Sequence, residues 1–288
     1  MPSPAYHAPE TIQQAIDLLA ANQGSRPLAG GTDLIVQMQS GRMVPVAIVD
    51  LKRIAQLRAI REESGYFAIG AAVPCTALKA HKALAAEWPG VVEAANLIGS
   101  VQVRNRATMA GNLCNASPAA DSVPALVAAG ATAIIAGPSG EREVPVEQVP
   151  ISPGRTSLGE GEFVAEIRIP RRPKGGADAY LRSIPRTEMD IAVVGAGAHI
   201  VLDAGGTCTS ARIAIGAAAP TVLLVEDAGK ALVGTKLDDD AIAKMTQAVS
   251  AACNPIDDKR GTIAYRKAMA GILAKRVVQI ARERAGAN

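Results

Sequence analysis

Aromatic residues are scarce. The 288-residue chain has one Trp, two Phe and four Tyr, 2% in all. Single-stranded nucleic-acid binding leans on aromatic stacking, so this scarcity argues against it. Strong charge of one sign is also missing. Lys and Arg number 30 against 27 Asp and Glu, a net charge of +3. The basic residues are scattered, with no footprint for DNA or RNA. Paired cysteines are absent. Cys75, Cys114, Cys208 and Cys253 are too far apart for a C-x-x-C metal or redox pair. They read as reduced, mostly buried thiols of a cytoplasmic protein. His7, His81 and His199 show no metal spacing, so no metal site is expected in this chain. No apolar run is long enough to span a membrane. The opening Met-Pro-Ser-Pro-Ala-Tyr-His has neither the charged nor the apolar region of a signal peptide.

What is present centres on one stretch, residues 99–121, dense in small and polar residues. It cannot build a core alone and reads as a long functional loop between ordered elements. Gly111 allows close backbone approach to a ligand. Thr108, Asn112 and Ser117 offer side-chain hydrogen bonds beside it. Pro118 is expected to open a helix over 119–129, ended by Gly130. A second stretch, Leu28-Ala-Gly-Gly-Thr-Asp-Leu34, joins a short extended run to a helix expected over 32–40. Two glycines before a helix N-terminus make an anion site. A Gly-rich turn with Thr32 as helix cap remains the alternative for this stretch alone. Together the two loops point to a phosphate-bearing cofactor.

The flanking pattern predicts an N-terminal part of strands and helices. Ile12, Ala15, Ile16 and Leu19 line one helix face. A hairpin follows through Ser64-Gly65, and strands are expected near 131–136, 143–146 and 162–169. Residues 170–177, rich in Pro, Gly and charge, read as a linker. Beyond it come strands near 180–184, 191–202 and 209–217, then helices near 223–233, 238–252 and 262–284. That is a small antiparallel sheet with helices on one side. Val193-Val-Gly-Ala-Gly-Ala-His-Ile200 imitates a dinucleotide fingerprint. It lacks the third glycine and the following helix, so it reads as a hairpin arm.

In this order, the motifs resemble one family: the FAD-binding medium subunits of molybdenum hydroxylases, the xanthine dehydrogenase and carbon monoxide dehydrogenase family. The resemblance rests on residues 28–34, 46–51, 69–71, 98–105, 107–112, 117–121, 186–191 and 218–220. It implies an α+β fold. A vanillyl-alcohol-oxidase (PCMH)-type FAD-binding domain, residues 1–172, would have subdomains at about 1–56 and 57–172. A C-terminal domain of antiparallel sheet plus helices would cover 178–286. FAD would lie non-covalently between the subdomains. Leu28, Ala29, Gly30, Gly31, Thr32, Asp33 and Leu34 would cradle its pyrophosphate. Thr108, Gly111 and Asn112, with Ala107, Cys114 and Ser117 beside them, would hold the other side. Asp121 would reach the sugar or ring, Ile98 would sit near the flavin, and Val164 and Arg182 match further cofactor positions. Ala110 stands where many relatives have glycine. The Asp33 carboxylate is expected to turn from the phosphates and bond backbone.

The resemblance also implies partners: a large subunit with molybdopterin-bound molybdenum and a small subunit with two 2Fe–2S clusters. The complex would be a heterotrimer or a dimer of heterotrimers. Electrons would reach FAD from the clusters and leave to NAD, oxygen or a quinone-linked carrier. No catalytic acid, base or nucleophile is then expected in this chain. Residues 112–115 and 186–190 lean towards the xanthine dehydrogenase side. A stand-alone NAD(P)H-dependent flavoprotein reductase and a flavin-free assembly subunit are the competing readings.

Overall fold

The structure, a computed structural model, describes residues 4–286. The first three residues of the N-terminal segment lie outside that range. Strands β1 (Ala5–His7), β2 (Arg26–Leu28) and β3 (Ala47–Asp50) form a sheet in which both outer strands run parallel to the central β3. Helix α1 (Ile12–Ala21) links β1 to β2. The Thr11 hydroxyl caps it by accepting from the Gln14 N–H, and Ala15, Ile16 and Leu19 are its buried stripe. Helix α2 (Leu34–Gln39) follows β2 and buries none of its residues. It begins two residues later than expected, and Thr32 does not cap it. Asp33 takes the cap position without a side-chain hydrogen bond to the helix. Gly31, at φ +82°, turns the chain just before.

The middle of the chain carries strands β4 (Ile60–Glu62) and β5 (Tyr66–Gly70), then helices α3 (Cys75–Ala80), α4 (Lys82–Glu87), α5 (Pro89–Ala95), α6 (Val101–Arg104), α7 (Met109–Cys114) and α8 (Ser122–Ala129). Strands β6 (Thr132–Gly137), β7 (Gly140–Pro145), the small pair β8 (Pro150–Ser152) and β9 (Arg155–Thr156), and β10 (Phe163–Pro170) complete it. An antiparallel sheet of order β4-β5-β10-β6-β7 results.

Residues 99–121, expected as a loop, instead fold into α6 and α7. The hydroxyls of Ser100 and Thr108 cap them, accepting from the N–H of Val103 (3.4 Å) and Gly111 (2.9 Å). Packing against the core then holds Met109, Ala110 and Leu113 buried, which a local reading of a polar run does not reveal. Helix α8 starts at Ser122, not at Ala119. Residues 117–120 form a turn closed by Ala120 N–H to Ser117 O. The Asn112 side-chain oxygen then accepts from both the N–H and the hydroxyl of Ser122. Gly130, at φ +70°, ends the helix.

Strands β11 (Gly176–Ser183), β12 (Val194–Leu202), β13 (Cys208–Gly216) and β14 (Leu223–Leu224) form an antiparallel sheet in that order. Helices α9 (Glu226–Leu232), α10 (Asp239–Ala252) and α11 (Ile263–Gly286) follow. α9 packs on β13, α11 on β11 and β12, and α10 on both helices. Helix α8 packs on β12 and β13. The glycines of the false fingerprint belong to strand β12. A Cβ at Gly197 would lie 2.6 Å from Pro124 O of α8, and one at Gly195 2.7 Å from the Tyr180 hydroxyl. They serve close packing.

The expected linker is anchored: the Arg171 guanidinium lies 4.0 Å from the Phe67 ring centroid, and the Arg172 N–H donates to Glu87 at 2.7 Å. The Arg171 charge thus finds partners on α4 and β5.

Candidate functional site

A cavity of about 530 Å³ opens between the first sheet, α7 and the segment before β10. That is an ordinary size for a cofactor pocket. Leu28, Ala29, Gly30, Gly31, Thr32, Asp33 and Leu34 line one wall; Ile98, Ala107, Thr108, Gly111, Asn112 and Cys114 line the second. The third wall, residues 154–164 with few gaps, includes Val164.

The first two walls touch. A Cβ at Gly30 would overlap the Arg106 carbonyl and come within 2.9 Å of the Ala107 Cα. Glycine at 30 therefore lets one loop rest on the other. The backbone N–H groups of Gly30, Gly31, Thr32 and Asp33 donate to no acceptor among the described residues. Consecutive free N–H groups at a turn with a left-handed glycine form an anion-binding nest. Across the cavity, the N–H groups of Met109 and Ala110 open α7 without an acceptor among the described residues, while that of Gly111 goes to Thr108 Oγ1. At Gly111 a Cβ would meet only the Thr108 Oγ1, at 3.0 Å, so the cavity side is open there. With its Oδ1 given to Ser122, Asn112 keeps its amide NH₂ for a ligand.

Asp33 stands exposed at the cavity edge, and desolvation by the surrounding protein raises its carboxyl pKa. It accepts no backbone hydrogen bond among the described residues, contrary to expectation, and does not cap the helix it precedes. Burial pushes the Cys114 thiol up to about 12, so it stays protonated and inert.

Three of the expected cofactor residues lie outside the cavity lining: Ser117, Asp121 and Arg182. The Ser117 hydroxyl accepts from the Ala119 N–H at 3.3 Å. Asp121 is engaged by Arg182 at 2.8 Å and by the Tyr180 hydroxyl at 3.4 Å. Burial raises the Asp121 pKa although Arg182 opposes it. The two charges pair with each other behind the wall, and Arg182 Nε is buried without a protein partner.

Sequence reasoning missed Ser25 and most of the third wall. The Ser25 hydroxyl lines the cavity and is buried without a partner, which suits a polar ligand. In the third wall, Glu162 pairs with Arg142 at 2.7 Å and accepts from the Gly159 N–H at 2.7 Å. Gly159-Glu-Gly161, two chain breakers before a strand, was the available signal. Among the described residues no group of three or more His, Cys, Asp or Glu could hold a metal.

A free N–H row, an orphaned hydroxyl and an apolar wall of Ala71, Ile98 and Val164 together suit a long molecule with phosphates and a planar ring. The class of protein these features suit is one that binds a dinucleotide cofactor. Residues 2–172 match the model of the FAD binding domain in molybdopterin dehydrogenase, and residues 179–281 that of the CO dehydrogenase flavoprotein C-terminal domain. The carbon monoxide dehydrogenase medium chain of Afipia carboxidovorans is 37% identical over 97% of both chains. The putative xanthine dehydrogenase FAD-binding subunit of Escherichia coli is 32% identical, over 98% of this chain and 97% of that one. A reconstituted CO dehydrogenase from Oligotropha carboxidovorans superposes with a TM-score of 0.94 at 37% identity, covering 98% of this chain and 99% of that one. The chain belongs to the FAD-binding subunits of molybdenum-dependent dehydrogenases. These identities do not repeat the sequence's lean towards the xanthine dehydrogenase side.

Proposed function

We propose that this chain is the electron outlet of a multi-subunit molybdenum hydroxylase. A small partner would hold two 2Fe–2S clusters and a large partner the molybdopterin-bound molybdenum, in a cytoplasmic heterotrimer or its dimer. The similarity to a medium chain over almost its whole length supports this. The reading divides the chain into a flavin-binding part, 1–172, with subdomains meeting near residue 56, and a C-terminal part, 178–286.

When bound, FAD supplies the redox chemistry, accepting electrons from the clusters and releasing them to NAD, oxygen or a quinone-linked acceptor. The protein's part is placement. The N–H row of Gly30 to Asp33 and the start of α7 would hold the phosphates. Asn112 would donate its amide, and Ala71, Ile98 and Val164 would keep water from the ring. Asp121 and Arg182 would fix the wall behind, the Arg182 Nε being left for the cofactor or a water. The substrate, a purine, another N-heterocycle, an aldehyde or a CO-type molecule, would be oxidised on the large partner.

The single observation that carries this is the cavity with the free backbone N–H groups of Gly30 to Asp33 on one wall and the start of α7 on the facing one. The test is to purify the complex through this chain and add reductant at each stage. Flavin bands that bleach with substrate only when the iron–sulfur partner is present are the expected result. Bleaching by the oxidisable substrate with this chain alone would contradict it.

A further inference from the structure

At the carboxyl end of the first sheet a connected set of polar groups stands behind the glycine loop. The Tyr6 hydroxyl of β1 donates to Asp50 Oδ2 at 2.7 Å. Asp50, the buried last residue of β3, binds the Lys52 ammonium through Oδ1 at 2.7 Å. Lys52 Nζ in turn donates to the carbonyl of Ala29 at 3.0 Å. Lys52 is not among the residues lining the cavity, whereas Ala29 and Gly30 are.

A trans peptide is planar, and its C=O and N–H point in opposite directions. An ammonium that grips Ala29 O from behind therefore aims the Gly30 N–H forward. The free N–H groups of Gly31, Thr32 and Asp33 follow from that starting plane, through the left-handed turn at Gly31. A cation on the carbonyl also polarises the amide and strengthens its N–H as a donor. Burial pushes the Asp50 carboxyl up, but the hydrogen bonds from Lys52 and Tyr6 outweigh it and hold it below its ordinary value. The anchor of the set thus stays ionised.

We propose that Lys52, held by Asp50 and Tyr6, is a positioning residue that locks the Ala29–Gly30 peptide plane so that this loop binds the diphosphate of a dinucleotide. The proposal rests on the reading of the cavity as the FAD site. It places a lysine outside the cavity in control of phosphate affinity without contact to the phosphate.

The test uses the full chain freed of flavin, with titrations of FAD, ADP and riboflavin against Lys52→Met and Lys52→Arg. Losing one charge-assisted hydrogen bond that orders the loop predicts about tenfold weaker FAD and ADP binding in Lys52→Met. Riboflavin, which has no phosphate, should bind as before, and Lys52→Arg should restore most of the loss. Unchanged FAD and ADP binding in Lys52→Met would overturn the proposal. So would an equal loss for riboflavin, which means general damage to the site. Gly111→Asp, on the opposite wall, serves as the control. If it releases FAD while Lys52→Met does not, the proposal fails and the site reading stands. If neither releases FAD, the site reading itself fails.

Discussion

Gly30 and Gly111 line the same cavity for different physical reasons. Gly30 is needed where two loops meet, since any Cβ there overlaps the Arg106 carbonyl. Gly30→Ala should therefore cost about 1–3 kcal/mol of stability, as overpacking does, seen as a lower Tm. It would not discriminate a flavin role. Gly111 has open space on its cavity side and is third in α7, where an acidic residue suits the helix dipole. Gly111→Asp should keep the Tm of the wild type and lose FAD, because its charge faces the phosphates. Asp33 adds a pH dependence. Its pKa is already raised by desolvation, and a bound diphosphate would raise it further. Flavin binding then takes up a proton, so FAD affinity should fall as pH rises through that pKa. Asp33→Asn should bind FAD more tightly and remove the slope in a titration across pH 4–8, roughly the range that brackets a raised carboxylate. At this scale the sequence was informative about residue types. Gly, Thr and Asn in short loops announce anion binding. It was silent on the pairing of Asp121 with Arg182, which depends on the start of α8 meeting β11.

Among the elements, β12 and α8 show what patterning can and cannot convey. Alternation and turn residues gave the strands of the C-terminal sheet. The glycines of β12 became intelligible only once α8 lay against them. Gly197→Ala should push Pro124 away and lower stability by about 1–3 kcal/mol, measured by denaturant unfolding. The same junction holds a buried polar pair. Asp178 in β11 is directly opposite His199 in β12, and its Oδ2 accepts from the Val91 N–H of α5 at 2.9 Å. Burial pushes Asp178 up to about 6. Burial, with Arg172 and Arg212 nearby, lowers His199 to about 4. Between about pH 4 and 6 the folded state keeps a proton on Asp178 that the unfolded chain has lost, so this group's contribution falls as pH rises. Over the window from about 4 to the ordinary 6.5, His199 does the opposite, because only the unfolded chain is protonated. The two slopes offset each other. His199→Gln should make stability fall from pH 4 to 6, and Asp178→Asn should make it rise. Unfolding free energies across that range would decide, and tilts in the same direction would contradict the account. Helices α6 and α7 were illegible for a related reason. Their capping residues are visible in sequence, but the burial that stabilises such short helices is tertiary.

Across the whole molecule, the order of motifs was enough to name a family, because each loop occupies a fixed place between sheets. Most of the third cavity wall was not legible: beyond Val164 and the Gly159-Glu-Gly161 break, residues 154–164 reach the site only through the turn after β8, β9 and the start of β10. No described helix is long and apolar enough to cross a membrane. On the proposed reading FAD sits between the glycine loop and α7. The most direct measurement is the flavin content of the purified protein, alone and with its partners, with the cofactor identified after denaturation. About one FAD per chain is expected, as a single cofactor site requires, with its loss in Gly111→Asp. A folded, colourless chain that takes up no FAD in either state would contradict it, as would a Gly111→Asp protein with its full flavin content.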